Sequence, residues 1–88
     1  ELLKRGGAPL TERGITMHEL ACGLRDNGRW DEAEPLFREA LRLAEEGGAT
    51  AKSRAITLRS YARGLRANGK AQEVARLEAQ ADKLEADT

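Results

Sequence analysis

This chain is poor in most of the residue types that carry chemistry. Its 88 residues include one cysteine, one histidine, one each of tryptophan, tyrosine and phenylalanine, and two prolines. A lone cysteine excludes an internal disulfide and makes a reducing compartment, the cytoplasm, the simpler expectation. One histidine and one cysteine are too few to build a metal site within one chain. Three aromatic residues give no row of rings on which bases could stack. No apolar run approaches the roughly 18 residues of a membrane span, so no membrane partner is expected. No signal-peptide pattern opens the chain, which begins at Glu1 without a methionine. It therefore reads as a piece of something longer. The formal net charge is zero, whereas nucleic-acid-binding domains are usually basic overall, so no nucleic acid is expected either. A chain of this length makes at most one small domain of modest stability.

The zero balance conceals two opposite segments. Residues 47–72 hold Lys52, Arg54, Arg59, Arg63, Arg66 and Lys70 and no acid, while residues 26–46 hold seven acids against Arg29, Arg38 and Arg42. Charge is sorted along the chain, which points to faces of opposite sign.

What the chain does have is a copy of itself. Residues 47–87 laid on residues 6–46, a shift of 41, agree at 16 of 41 positions. The clearest match is Gly23-Leu24-Arg25-Asp26-Asn27-Gly28 with Gly64-Leu65-Arg66-Ala67-Asn68-Gly69. A period of this length marks a repeat array, in which each unit buries its apolar face on its neighbours.

Glycine punctuates each copy. Gly6-Gly7 and Gly47-Gly48 lie one period apart, and so do Gly28 and Gly69, each after an asparagine. These marks divide the chain into four helix-length pieces, roughly 11–27, 30–46, 50–67 and 71–87. Asn-Gly is a strong turn signal, and with helical spacing on both sides it predicts helix–turn–helix. Pro35 falls in the first turns of the second helix, where a missing N–H costs little. Met17, Leu20, Ala21 and Leu24 share one face of the first helix, and Leu58, Tyr61, Ala62 and Leu65 the matching face of the third. Ala33, Leu36, Phe37, Ala40 and Leu41 line the second, and Val74, Leu77, Ala81 and Leu84 the fourth. The expected fold is all-α: an α-solenoid fragment of four antiparallel helices.

The residues at these positions resemble the tetratricopeptide repeat. Ala21 matches the small residue midway along that family's first helix, Gly28 and Trp30 its turn, and Ala33, Phe37 and Ala40 its second helix. The second copy keeps Ala62, Gly69 and Ala81 but has Ala71, Val74 and Glu78 at the other three positions. The long period and the run Glu-Ala-Glu-Pro-Leu at 32–36 look like the kinesin-light-chain type. On this alignment residues 1–5 are the stump of a preceding helix, 6–46 the first repeat, and 47–88 the second with a capping helix. The changes Trp30→Ala71, Phe37→Glu78 and Leu41→Asp82 between copies all exchange apolar for smaller or charged residues. Glu78, Asp82 and Glu85 therefore suggest a solvated cap, with the array ending near Thr88. The resemblance implies binding of a protein or peptide in a concave groove, and no catalysis or cofactor.

Within that frame, Ile15, His18, Cys22 and Arg25 are expected to line one side of the groove, and Ile56, Arg59, Arg63 and Arg66 the other. Lys52, Arg59, Arg63, Arg66 and Lys70 fall in a narrow band of the third helix, and arginine can grip carboxylates bidentately. An acidic peptide or a terminal carboxylate is one candidate ligand. A solvated charged face, paired with acids of the neighbouring helix, is the simpler alternative. The carboxylate clamp of chaperone-binding relatives is incomplete, because its asparagines are missing from the matching positions. His18 and Cys22 lie i, i+4, a spacing that can hold a metal or pair a base with a nucleophile. No third ligand or orienting group accompanies them, so no metal and no catalytic residue is assigned. Trp30 and Phe37 are read as packing residues. The leading expectation is a protein–protein interaction module. The alternative is self-assembly, because two repeats are fewer than the roughly three needed for independent stability, and a second copy could close the open first face.

Overall fold

The structure, a computed structural model, describes residues 9–87. It contains four helices: α1 (Leu10–Asp26), α2 (Trp30–Glu46), α3 (Ala51–Ala67) and α4 (Ala71–Ala86), with no strand among the described residues. Each helix end falls within one residue of the position that the glycines and the periodicity predict. Residues 1–5 and the Gly6-Gly7 pair lie outside the described residues.

The two Asn-Gly turns are built alike. Gly28 and Gly69 take φ of +75° and +76°, a left-handed conformation that costs glycine little. The next amide then reaches back across the helix end, from Arg29 N to Leu24 O and from Lys70 N to Leu65 O, each 2.9 Å. The asparagine side chain completes the closure: Asn27 Nδ2 donates to Gly23 O and Asn68 Nδ2 to Gly64 O, both at 2.8 Å. At the start of α3, the Thr50 hydroxyl accepts from Ser53 N–H at 3.1 Å, satisfying one of the amides a helix start leaves open. Pro35 lies on an exposed side of α2, one turn in, and the helix runs through it.

α1 packs on α2 and α3 on α4 as helix pairs, and α3 joins the pairs by packing against both α1 and α2. The core at that junction is made of Ala21, Ala33, Phe37, Ala55, Leu58, Tyr61, Ala62, Leu65, Val74, Leu77 and Ala81. Five of these are alanines, small enough to let the helices approach closely, and the aromatics fill the junction itself. Phe37 and Tyr61 stack with centroids 5.4 Å apart and planes 4° from parallel. Trp30 lies against both, at 6.0 and 5.9 Å. The Tyr61 hydroxyl donates to Glu34 Oε2 at 2.9 Å and accepts from Arg38 Nε at 3.2 Å, so its polar end is satisfied at the edge of the core.

The apolar faces of the second and fourth helices are covered as expected, with Leu36, Leu41 and Leu84 only partly so. The first helix differs. Leu20 and Tyr61 occupy the same position in successive repeats, yet Tyr61 is 6% exposed and Leu20 52%. Tyr61 has α2 over it. Leu20 lies on the side of α1 away from α3, where none of the four helices packs.

Candidate functional site

The seam between α1 and α3 is polar. His18 sits there with Nε2 3.0 Å from Ser60 Oγ and Nδ1 at a longer 3.4 Å from Thr57 Oγ1. Two turns on, Arg25 donates from Nη1 to Ser60 O at 3.0 Å and from Nε to Asp26 Oδ1 at 2.9 Å. Its guanidinium carbon lies 6.0 Å from the centroid of the Phe37 ring, and its side chain is only 11% exposed. Arg25 therefore acts as a strut between the repeats. Burial first, and the Arg25 charge second, lower the His18 pKa below its ordinary value, while Glu19 partly opposes them. Hydroxyls at both ring nitrogens can donate to or accept from the imidazole. Cys22 lies one turn from His18, partly buried against the core.

The sequence places Ile56, Arg59, Arg63 and Arg66 opposite Ile15, His18, Cys22 and Arg25. The two sets lie on α1 and α3, which pack against each other. They are the same four positions one period apart, so they point the same way in successive repeats. The residues of α3 that meet α1 are Thr57 and Ser60, at i and i+3, with Ser53 one turn before and bonded to Thr57 through its carbonyl. Sequence reasoning missed them because it followed the charged band of α3. The signal that could have found them is the small hydroxyl stripe Ser53, Thr57 and Ser60 on the flank of α3 nearer the preceding repeat.

Arg59 and Arg66 turn instead toward α4. Arg59 Nη2 bonds Asp82 Oδ1 at 2.9 Å and also Glu85 Oε1, and Arg66 Nη2 donates to Glu78 Oε2 at 2.8 Å. Asp82 and Glu85 hold the Arg59 pKa above its ordinary value. Lys52, Arg63 and Lys70 make no ion pair among the described residues. The expected band is thus split: two arginines are tied to the neighbouring helix, Lys52 and Arg63 face solvent from α3, and Lys70 falls beyond it at the start of α4.

Two large apolar side chains stand out on the same flank of successive repeats, Ile15 at 51% exposed and Ile56 at 48%. Ile15 falls at i, i+3 and i+7 with His18 and Cys22, one stripe of α1 leading to the seam. Among the described residues no cluster of three or more histidines, cysteines or acids is placed to hold a metal. Among them, too, no helix is long and apolar enough to cross a membrane.

Paired antiparallel helices of about 17 residues, joined by glycine turns and stacked at a 41-residue period, define a helical-repeat scaffold. A family model described as Tetratricopeptide repeat matches residues 12–81, and the chain belongs to that family. No curated protein and no solved structure matches it.

Proposed function

We propose that the chain binds an extended protein segment across the face made by α1 and α3, and that this segment combines apolar with acidic residues. Tetratricopeptide repeats are generally protein–protein interaction modules without catalytic activity, and the finer reading rests on side-chain placement. The observation that carries it is the pair Ile15 and Ile56. A half-exposed isoleucine recurs at one position of each repeat, although nothing in a solvated face requires one. Around this pair Lys52 and Arg63 have no internal acid to satisfy, which supports acids in the ligand. Arg59 and Arg66 contribute less, because α4 already holds them. His18 and Arg25 set the distance between the two helices, and Cys22 borders the ridge.

The finer assignment to the kinesin-light-chain type of repeat is supported by the 41-residue period and the 32–36 run. The repeat units are then 6–46 and 47–88, and the ion-paired outer side of α3 and α4 supports reading the second as water-facing. A cytoplasmic location is supported by the single free cysteine.

The test is a selection of displayed peptides on the wild-type chain, followed by binding to Ile15→Asp with Ile56→Asp and, separately, to Arg63→Glu. The reading expects enrichment of acidic peptides with spaced apolar residues. The double variant should lose binding, and Arg63→Glu should weaken it while helicity by circular dichroism is kept. Unchanged binding by the double variant would sink the reading.

A second reading, self-association, is favoured by one observation, the exposed Leu20 beside the partly covered Met17 and Leu24. A second copy laid on this strip would cover it as α2 covers Tyr61. Light scattering over a dilution series separates the two: a monomer throughout removes self-association.

A further inference from the structure

We propose that His18 is the latch of an acid-sensitive hinge between the two repeats, so that mild acid opens the α1–α3 seam while the α2–α3 junction stays closed. α3 meets the first repeat through two helices, α1 and α2. Against α2 the contact is aromatic: Phe37 stacks on Tyr61 at 5.4 Å, and Trp30 lies across Gly64. None of these groups changes charge in mild acid. Against α1 three polar contacts converge on Ser60 and Thr57. His18 Nε2 lies 3.0 Å from Ser60 Oγ, His18 Nδ1 lies 3.4 Å from Thr57 Oγ1, and Arg25 Nη1 lies 3.0 Å from Ser60 O. Two of the three belong to the chain's single histidine, the side chain whose charge changes between about pH 5 and 8.

The bonding pattern suits a neutral ring. Thr57 Oγ1 has Ser53 O at 3.4 Å to take its proton. It is then free to accept from Nδ1–H, which leaves Nε2 to accept from the Ser60 hydroxyl. A proton added at Nε2 sets two donors against each other across that contact. Ser60 must turn its own proton elsewhere before it can accept.

The surroundings do not offset the added charge. On α1, Arg25 opposes it and Glu19 favours it, but Glu19 is exposed, where water and salt screen it. Cys22, one turn away, carries no charge in acid. α2 presents the Phe37 ring, 6.2 Å from the imidazole. α3 has no acid at all; its charges are Lys52, Arg54, Arg59, Arg63 and Arg66. Burial and then Arg25 accordingly lower the pKa of the ring in the closed seam, and opening relieves both. The open seam therefore binds the proton more tightly, so acid drives opening. The effect is absent above the ordinary 6.5 and complete below the lowered value. Each unit between the two pKa values multiplies the open-to-closed ratio about tenfold.

The use of such a hinge rests on the binding face proposed above: opening the seam separates Ile56 from Ile15, and a segment lying across both would be released in acid. The hinge itself is read with no ligand present, so it and the binding face can fail separately.

The experiment follows the 88-residue chain by NMR from about pH 7.5 to 5. The shift of the His18 ring gives its protonation. Nuclear Overhauser contacts from His18 and Arg25 to Thr57 and Ser60 report the seam, and those between the Phe37 and Tyr61 rings report the junction. The seam contacts should be lost along the ring's own titration while the Phe37–Tyr61 contacts persist. His18→Gln, which keeps a polar group but no charge, should hold the Arg25–Ser60 contacts over the whole range. Seam contacts that survive full protonation of the ring overturn the proposal. So does loss of both sets together, which is unfolding and not a hinge, or an unchanged pH dependence of the Arg25–Ser60 contacts in His18→Gln. If that variant does not fold, the wild-type titration decides alone.

Discussion

Trp30 lies across Gly64. A Cβ built on Gly64 would stand 2.1 Å from Cζ3 of the indole and 2.7 Å from Cη2. This contact, between the first residue of α2 and the last turns of α3, lets the aromatic cluster at the repeat junction close. Gly23 occupies the same position one period earlier, and nothing lies within 4 Å of its Cβ direction.

The pair predicts opposite signs for one substitution. Gly23→Ala should stabilise the chain by up to about 1 kcal/mol, because alanine suits an open helix position better than glycine. Gly64→Ala should destabilise it by about 1–3 kcal/mol, because the indole must leave a packed site. Urea unfolding of both variants checks this. Stabilisation by both would show that Trp30 does not hold its place over α3.

A second pair compares Phe37 with Glu78. Phe37 is fully buried and Glu78 is partly exposed in an ion pair. Phe37→Ala should cost about 3–5 kcal/mol, enough to unfold a domain of this size at room temperature. Glu78→Ala should cost less than about 1 kcal/mol. Thermal unfolding followed by circular dichroism distinguishes them. Comparable losses would mean that the second repeat contributes a junction of its own.

His18 predicts a pH dependence. Its folded pKa lies below the ordinary 6.5, so as pH falls the unfolded chain takes up the proton first. Stability from this group is complete above that value. It is lost as pH falls through 6.5 toward the lowered folded pKa, below which the loss is complete. Arg25 opposes the added charge and Glu19 favours it; Thr57 and Ser60 on α3 can accept from the charged ring. His18→Gln should flatten the decline in urea midpoint between about pH 7 and 5. A slope identical to that of the wild type would remove His18 from the account.

Leu20 predicts an effect limited to association. Leu20→Glu should leave the unfolding midpoint within about 0.5 kcal/mol of the wild type, as for an exposed position. Any dimer seen by light scattering should disappear. A large loss of stability in dilute monomer would mean that Leu20 is covered in solution.

Much of the fold was legible because its signals are local. Asn27-Gly28 and Asn68-Gly69 place both turns, and the apolar spacing of Leu58, Tyr61, Ala62 and Leu65 marks a face that proves fully covered. The candidate site was legible only in part, for a reason that lies in the repeat. Positions 41 apart, such as Cys22 and Arg63, recur on successive helices, and their repetition alone does not show what joins those helices. What meets α1 comes from the opposite flank of α3, where Thr57 and Ser60 carry no charge to draw notice. The partners of Arg59 and Arg66 lie one helix further on, and helical spacing within α3 does not show that α4 presents Asp82, Glu85 and Glu78 to them.

The most direct test of the protein-binding reading is a ¹⁵N map of the chain with a peptide selected on it. The reading predicts shifts concentrated on Ile15, Cys22, Ile56 and Arg63, and no binding by the Ile15→Asp, Ile56→Asp variant. Shifts on Met17, Leu20 and Leu24, with full binding by that variant, would contradict it and move the working surface to the other side of α1.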